Sequence, residues 1–123
     1  MYSRPHRFAG EKNIALLMRR GRQFSAGEIS IKVGHRPTGT TWRFAVTVGT
    51  KVSKRAVVRN QLRRRIREIL RQSIPSLIGA GDIMVMTRPG AEKLEFADVK
   101  IKMLRLLNQA GIIKVVTTSI PKA

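Results

Sequence analysis

Residues 51–72 read KVSKRAVVRNQLRRRIREILRQ and carry the strongest helix signal in the chain. From about Arg55 to Gln72, apolar side chains recur at helical spacing, so that at about 100° per residue they fall on one stripe. This stripe consists of Val58, Leu62, Ile66 and Ile69. Such a stripe is typical of a helix that packs one side against a sheet or another helix. We therefore expect this helix to form part of one layer of the fold.

The side of this helix opposite the apolar stripe is strongly basic. Nine of the 21 residues from Lys51 to Arg71 are Lys or Arg, and Glu68 is the single acid among them. Glu68 can pair with Arg64 or Arg71 at helical spacing, which leaves most of the positive charge in this segment uncompensated. Seven of the nine are arginines, whose planar guanidinium group bonds two phosphate oxygens at once and stacks on bases. This favours a nucleic acid over a membrane surface as the partner.

The whole chain is basic, and its charge is unevenly distributed. It has 123 residues, 25 Lys or Arg against 7 Asp or Glu, and a formal net charge of +18. The first 72 residues hold 18 of the 25 basic and 3 of the 7 acidic groups. Because apolar residues are interspersed with these basic ones at regular spacing, we expect a folded basic surface rather than a basic tail. The length predicts a single domain over residues 1–123, in which residues 112–123 are either a strand or a loose tail.

Composition excludes several classes of protein. Without cysteine the chain forms no disulfide framework, thiolate zinc site or cysteine nucleophile, and two histidines, His6 and His35, are too few for an imidazole-rich metal site. The longest apolar run, residues 14–18, is far shorter than a membrane span of about 18 residues. Residues 1–8 lack the apolar stretch of a signal peptide. We expect a soluble, cytoplasmic protein with no membrane partner.

The segments around the basic helix predict a mixed α/β fold. The first two predicted strands alternate apolar and polar residues, which places Ile29, Ile31 and Val33 inward, and residues 83–87 are a short, continuously apolar strand. The order of helix, two or three strands, helix, strand and helix predicts a sheet packed with helices. The predicted elements are a helix over Glu11–Arg20, strands over Glu28–Val33, Trp42–Val48 (with Trp42, Phe44, Val46 and Val48 on one face) and Ile83–Thr87, and a last helix over Glu95–Ala110.

The acidic residues do not form a pattern suited to catalysis. A nuclease site needs grouped carboxylates for Mg²⁺ or a paired acid and base, and the seven acids are scattered along the chain. We interpret Asp82 as the cap of a turn, and Glu92, Glu95 and Asp98 as acids that interact favourably with the N-terminus of the last helix. The sequence therefore predicts no catalytic and no metal-binding residue in the protein itself.

The segment from Lys51 to Glu68, KVSKRAVVRNQLRRRIRE, resembles the signature of the bacterial ribonuclease P protein subunit. That signature is a basic loop, Ala-Val, then Arg-Asn-Arg-x-Lys-Arg and, after two positions, Arg-Glu. Gln61 stands where the family usually has Arg, and we expect the additional Arg65 to offset the missing charge. The other matching positions are Arg59-Asn60, Arg63-Arg64 and Arg67-Glu68. Residues 42–51 and 81–91 also resemble family segments, so the resemblance covers roughly residues 7–107.

The resemblance implies both a fold and an activity. The fold is a two-layer α/β sandwich, with a mixed four-stranded sheet packed with helices and a left-handed β-α-β crossover around the basic helix, an exception to the usual rule. The implied protein binds the catalytic RNA subunit of ribonuclease P and the 5′ leader of precursor tRNA. It assists hydrolysis of the phosphodiester that joins the leader to the tRNA. Catalysis and Mg²⁺ binding would reside mainly in the RNA subunit and the substrate.

Two sets of site residues follow from the motif and the resemblance. The predicted RNA-binding residues are Lys51, Lys54 and Arg55 in the basic loop and Arg59, Asn60, Arg63, Arg64, Arg67 and Arg71 on the helix. Ile14 and Met18 stand where the family usually has Phe, and Lys32 stands about where it often has Tyr. The candidates for a leader-binding cleft are Phe8, Ile14, Met18, Lys32, Phe44 and Val46. Core packing is the alternative role for Ile14, Phe44 and Val46.

Three other functions compete with this interpretation. A ribosomal or other structural RNA-binding protein would have the same charge and no role in cleavage, and the motif in residues 59–68 and the segment 82–91 count against it. A helix-turn-helix protein needs a second helix joined by a turn of about 3–4 residues, whereas a strand and a loop precede this helix, so we expect no DNA partner. A free-standing nuclease would cleave without any RNA partner.

Overall fold

Three α-helices and four β-strands make up the part of the chain that this computed structural model describes, residues 11–35 and 41–113 (side chains from residue 14). The predicted first helix is confirmed residue for residue, and the basic helix lies within one residue of its predicted bounds. The elements are α1 (Glu11–Arg20), β1 (Arg22–Ala26), β2 (Ile29–His35), β3 (Trp42–Thr47), α2 (Ala56–Ser73), β4 (Gly81–Thr87) and α3 (Phe96–Gln109), with short 3₁₀ turns at Ile74–Ser76 and Ala91–Lys93.

The four strands form one mixed sheet in the order β1-β2-β4-β3. β1 and β2 are an antiparallel hairpin, β2 pairs antiparallel with β4, and β4 pairs in parallel with β3. Helix α2 connects these two parallel neighbours and is therefore the crossover of a β-α-β unit. The predicted mixed four-stranded sheet packed with helices is confirmed, and the left-handedness of the crossover stays a prediction.

The main core lies between one face of the sheet and helices α2 and α3. The predicted inward positions of β2 are confirmed, because Ile29, Ile31 and Val33 are all buried. In the predicted α2 stripe, Leu62, Ile66 and Ile69 are buried, whereas Val58 is only half-buried and Leu70 completes the buried set. The buried side of α2 is thus shifted slightly from the predicted stripe, away from Val58 and toward Leu70. From α3 the core receives Val99, Met103, Leu106 and Leu107.

Among the described residues, helix α1 covers part of the opposite face of the sheet. Leu17 packs against Met84 there, and Ile14, Ala45 and Met86 are half-buried around them. We call these five side chains the α1-side apolar surface. The bands of apolar residues on both faces follow from the alternation of side chains along each strand.

The start of β4 is tightly packed against its neighbours. A Cβ atom at Gly81 would lie 2.1 Å from the carbonyl oxygen of Gly34 and 2.7 Å from the Trp42 ring, so only glycine fits. Trp42 is 3% exposed, as expected for a packing residue. Its indole Nε1–H donates to the carbonyl oxygen of Ile78 at 3.1 Å, which holds the connection between α2 and β4 against the sheet.

Two acidic residues have roles other than those predicted. Asp82 lies within β4, and its carboxylate accepts hydrogen bonds from Arg43 Nε at 2.7 Å and Nη2 at 3.1 Å. It therefore does not cap a turn, because parallel pairing with β3 extends the strand back to Gly81. Glu92 precedes α3 and accepts a hydrogen bond from the Gly90 backbone N–H at 2.6 Å, so this carboxylate closes a turn instead of capping the helix.

The chain beyond α3 remains attached to the domain as far as it is described. Ile112 is buried, and its carbonyl oxygen accepts a hydrogen bond from the Ile78 N–H at 2.8 Å. Ile113 forms an isolated antiparallel bridge with Leu77. The rest of the predicted strand or tail, residues 114–123, lies outside the described residues, as do residues 36–40 between β2 and β3. No helix in the described part of the chain is long and apolar enough to cross a membrane.

Replacing Ile66 by Ala should test the packing of α2 on the sheet. Ile66 is fully buried, and its truncation should lower the free energy of unfolding by about 2–5 kcal/mol. Urea denaturation followed by circular dichroism in sulfate buffer measures the change. Val57→Ala is the control, because Val57 is 62% exposed and its truncation should cost less than about 0.5 kcal/mol. Equal effects of the two variants would contradict the described orientation of α2.

Candidate nucleic-acid interface

The burial of one side of α2 turns its basic side outward. Arg64, Arg71 and Asn60 are exposed, and the arginines around them are half-buried. We call the outward residues of α2 the basic ridge: Asn60, Arg63, Arg64, Arg67 and Arg71. The first turn of α2 contains no acidic residue and no side-chain cap. Its N-terminal peptide groups therefore add to the positive potential at this end of the helix.

Two arginines of the basic ridge are free to bind a ligand. Among the described residues, Arg64 and Arg67 have no hydrogen bond or ion pair with the protein. Arg64 is fully on the outside, and Arg67 lies less than one turn along the helix. Their planar guanidinium groups can each offer paired N–H donors to a phosphate. They form the part of the ridge best suited to an anionic partner.

Arg71 is compensated within the helix. Its Nη2 and Nε atoms donate to the Glu68 carboxylate at 2.5 Å and 3.0 Å, so Glu68 pairs with Arg71 and not with Arg64. The hydrogen bond from Arg71 lowers the pKa of Glu68 from 4.5 to about 2, and a bond from Gln72 contributes. The same pair raises the pKa of Arg71. The uncompensated charge of the ridge therefore lies before Arg71, at Arg63, Arg64 and Arg67.

Arg59 and Arg63 are directed toward the loop that precedes α2. Arg59 Nη1 donates to the carbonyl oxygen of Ser53 at 2.9 Å. Arg63 Nη2 donates to the carbonyl oxygen of Val48 at 3.2 Å, and its Nη1 donates to Asn60 Oδ1 at 2.7 Å. These two predicted RNA-binding residues thus have partners inside the protein.

The basic loop, residues 48–55, lies beside the N-terminus of α2. Val48 and Val52 are buried, and the Val52 N–H donates to the Gly49 carbonyl oxygen at 3.1 Å to close a turn. The Arg55 N–H donates to Ser53 Oγ at 3.2 Å. The three predicted basic side chains of the loop, Lys51, Lys54 and Arg55, are exposed. The structure therefore brings the predicted loop residues next to the predicted helix residues.

Arg65 does not belong to the basic ridge. Its Nη1 donates to the carbonyl oxygen of Leu94 at 3.2 Å, on the side of α2 that faces the segment before α3. Our expectation that Arg65 offsets the charge absent at Gln61 stays a prediction, and the hydrogen bond directs this guanidinium group toward the segment before α3 and not toward the ridge.

The five described candidates for the leader-binding cleft do not line one cleft. Phe8 lies outside the described residues. Ile14 and Lys32 lie on the α1 side of the sheet, where a Cβ atom at Gly21 would meet the Lys32 side chain, and Met18 is 39% exposed on α1. Phe44 and Val46 point to the opposite face, where Phe44 is 1% exposed and Val46 packs against the core. The alternation along β3 places both with Trp42 under the helices, so the cleft assignment of Phe44 is wrong and its core role is confirmed.

Three residues on the α1 side of the sheet are not among the predicted site residues. Ala45, Met84 and Met86 share this face with Ile14 and Leu17. The segment 83–87 was interpreted only as a continuously apolar strand. Applying the two-residue alternation to it would have separated the methionines from Ile83 and Val85, which point to the main core.

The described residues do not fit a magnesium site. No group of three His, Cys, Asp or Glu among them could hold a metal ion. The carboxylates with identified partners are engaged within the protein: Asp82 with Arg43, Glu68 with Arg71, Glu92 with the Gly90 N–H, and Glu28 with Lys102 at 3.6 Å. We therefore derive no catalytic step through a metal bound to this chain.

A family model and individual relatives point to the same protein family. A family model described as Ribonuclease P matches residues 2–111. A ribonuclease P protein component of a Synechococcus species is 31% identical over 118 residues, which cover 87% of this chain and 93% of the relative. The corresponding protein of Xylella fastidiosa is 33% identical over 91 residues, 74% of this chain and 65% of the relative.

Solved structures show the same fold. The RNase P protein of Staphylococcus aureus superimposes with a TM-score of 0.80 at 21% identity, covering 89% of this chain and 98% of that one. The RNase P protein of Thermotoga maritima gives a TM-score of 0.75 at 23% identity, covering 84% and 96%.

The Glu68–Arg71 pair predicts a pH dependence. Since the pKa of Glu68 in the folded protein is about 2 instead of 4.5, the pair stabilises the fold above pH 4.5, and its contribution is lost as the pH falls toward 2. Carboxyl NMR should show Glu68 titrating near pH 2, and Arg71→Gln should return its pKa toward 4.5. Gln72→Ala is the control and should move the pKa less. A Glu68 that titrates normally in the unaltered protein would contradict the pair.

Proposed function

The chain belongs to the ribonuclease P protein family, which acts in tRNA processing, and on that premise we propose that it is the protein subunit of a ribonuclease P holoenzyme. It binds the catalytic RNA subunit and the 5′ leader of precursor tRNA, and it assists removal of the leader to give the mature 5′ end. The chain acts as an enzyme only within this assembly. We expect the assembly to work in the cytoplasm.

The observation that carries this proposal is the uncompensated basic ridge beside the basic loop. Arg64 and Arg67 have no protein partner among the described residues, and three exposed cations lie in the loop that leads into the same helix. RNA presents a regular row of phosphates, and each Lys or Arg that neutralises one releases bound counterions. If six to eight phosphates are engaged, log K should fall against log salt with a slope of about −4 to −7.

The nine residues predicted from the sequence form this interface as one continuous surface. Lys51, Lys54 and Arg55 supply the loop cations, and Arg64 and Arg67 of the ridge supply the guanidinium groups that bind phosphates. Asn60 is exposed and carries both donors and acceptors, which suits a sugar or a base edge. Arg71 contributes less to phosphate binding than Arg64 does, because its guanidinium group is already paired with Glu68.

The chemistry of cleavage belongs to the RNA subunit and the substrate. Mg²⁺ held there would supply a water nucleophile and would stabilise the charge that develops on the phosphate. Four of the described carboxylates, those of Glu28, Glu68, Asp82 and Glu92, are engaged within the protein. The contribution of the protein is to bind and orient the two RNA molecules through its cations.

The α1 side of the sheet is the place we propose for the leader. Ile14 and Met86 present half-buried apolar side chains there, and Lys32 adds a cation on the same face. These side chains offer apolar contact and charge to a single strand, without the aromatic stacking that base recognition commonly uses. Met18, exposed on α1, extends this surface.

Cleavage of precursor tRNA at low Mg²⁺ by a bacterial ribonuclease P RNA, with and without this protein, tests the function. We expect the protein to restore correct 5′ processing and to be inert alone. RNA binding without stimulation of cleavage would contradict the proposal and favour a structural RNA-binding role. Cleavage by the protein alone would contradict the assignment of catalysis to RNA.

A matched pair of double variants shows whether the ridge is responsible. Arg64→Ala with Arg67→Ala should weaken binding to the RNA subunit by at least about tenfold for each lost charge-assisted contact. Arg88→Ala with Arg105→Ala removes the same charge from exposed positions elsewhere and should have a much smaller effect. Equal losses would show that only net charge matters.

A further inference from the structure

We propose that Arg59 and Arg63 are positioning residues, which hold the basic loop in its RNA-binding conformation, while Arg64 and Arg67 make the direct phosphate contacts. The inference rests on the proposed function, because it assigns separate tasks to residues of the RNA interface. The arginines of this helix then belong to two classes, those that position the loop and those that bind phosphate.

The hydrogen bonds of Arg59 and Arg63 reach both ends of the basic loop. Arg63 binds the carbonyl oxygen of Val48, where the chain leaves β3. Arg59 binds the carbonyl oxygen of Ser53, six positions before it in the sequence and just before α2 begins. The two arginines lie one turn apart on the side of α2 nearest the loop. Together they fix the loop to the helix at its first and near its last residue.

The loop has few other contacts that would keep it in place. Between the anchors, Val52 is the buried side chain, and its N–H closes the single turn that begins at Gly49. The exposed cations Lys51, Lys54 and Arg55 repel one another within five residues. A loop of this kind gains most from charged donors that bind its backbone carbonyl groups.

The use of N–H groups distinguishes Arg63 from Arg64 and Arg67, whereas Arg59 donates to the loop from Nη1 alone. A guanidinium group binds a phosphate best through two parallel N–H donors. Arg63 already donates from both Nη1 and Nη2, to Asn60 and to Val48, so that fork is occupied. Arg64 and Arg67 have both forks open among the described residues.

The same contacts orient Asn60. Its Oδ1 atom accepts the hydrogen bond from Arg63 at 2.7 Å, so the Nδ2 amide group is left as a donor on the exposed side of the helix. Arg63 therefore positions a second interface residue as well as the loop. A donor held in this way suits a phosphate, sugar or base acceptor.

The hydrogen bonds from Arg59 and Arg63 would strengthen RNA binding because they preorganise the basic loop. Ordering a flexible loop on association costs conformational entropy, and a loop already ordered in the free protein avoids that cost. Three cations held in place should then bind RNA more tightly than the same cations on a mobile loop. Loss of Arg59 should weaken binding without removing any phosphate contact.

Limited trypsin digestion of the RNA-free protein in sulfate buffer tests the bracing directly. Trypsin cleaves after Lys51, Lys54 and Arg55 only when the loop opens. Arg59→Ala should raise this cleavage by about tenfold, since it tracks the open population, and Arg63→Ala should do the same. Arg64→Ala is the matched control and should leave it unchanged. Rates are compared with cleavage after Arg105 in α3, which would rise equally if a variant merely unfolded.

The salt dependence of RNA binding gives the second readout. Arg59→Ala should lower the affinity and leave the slope of log K against log salt unchanged, whereas Arg64→Ala should reduce its magnitude by about 0.7–0.9. Unchanged loop cleavage in Arg59→Ala, or a slope reduced as in Arg64→Ala, would overturn the inference. If the unaltered protein fails to bind the RNA, the proposed function is wrong. The digestion experiment still shows separately whether Arg59 and Arg63 hold the loop in place.

Discussion

Burial of the apolar stripe of α2 against the sheet is the interaction on which the rest of the site depends. Leu62, Ile66 and Ile69 are excluded from solvent, and because a helix is rigid, their burial fixes the direction of every other side chain on it. Arg64 must then face outward. A helix rotated by one residue, about 100°, would bring arginines into the core at a prohibitive cost in desolvation. The basic surface is therefore a consequence of core packing.

The topology of the sheet places the basic loop where the ridge can use it. Helix α2 joins two strands that lie side by side in parallel, so the chain must leave β3 and enter α2 at one end of the sheet. Residues 48–55 occupy that corner, and Val48 and Val52 anchor it to the core. Loop and helix thus present cations on one surface, and the α1 side of the sheet lies on the opposite face.

Local periodicity was sufficient for the features that a single element determines. The bounds of α1 and α2, the inward residues of β2 and the outward direction of the ridge all follow from spacing along the sequence. Features that need two distant segments were not predictable in this way. Asp82 pairs with Arg43 across 39 positions because β3 and β4 are in parallel register, and Phe44 could be assigned to core or cleft only once the side covered by α2 and α3 was known. In the sequence, Arg65 cannot be distinguished from the arginines beside it. Its role in joining α2 to the segment before α3 follows only from the hydrogen bond to the Leu94 carbonyl oxygen.

Chemical modification of lysine and arginine side chains, followed by mass spectrometry with and without the catalytic RNA subunit, tests the central claim most directly. Every basic side chain then serves as a probe, and none has to be replaced. We predict that RNA protects Arg64 and Arg67 on the ridge and Lys51 and Lys54 in the loop, while Arg88 and Arg105 stay reactive. Protection spread evenly over all exposed cations, or absent from α2, would contradict the claim that this helix is the RNA-binding surface.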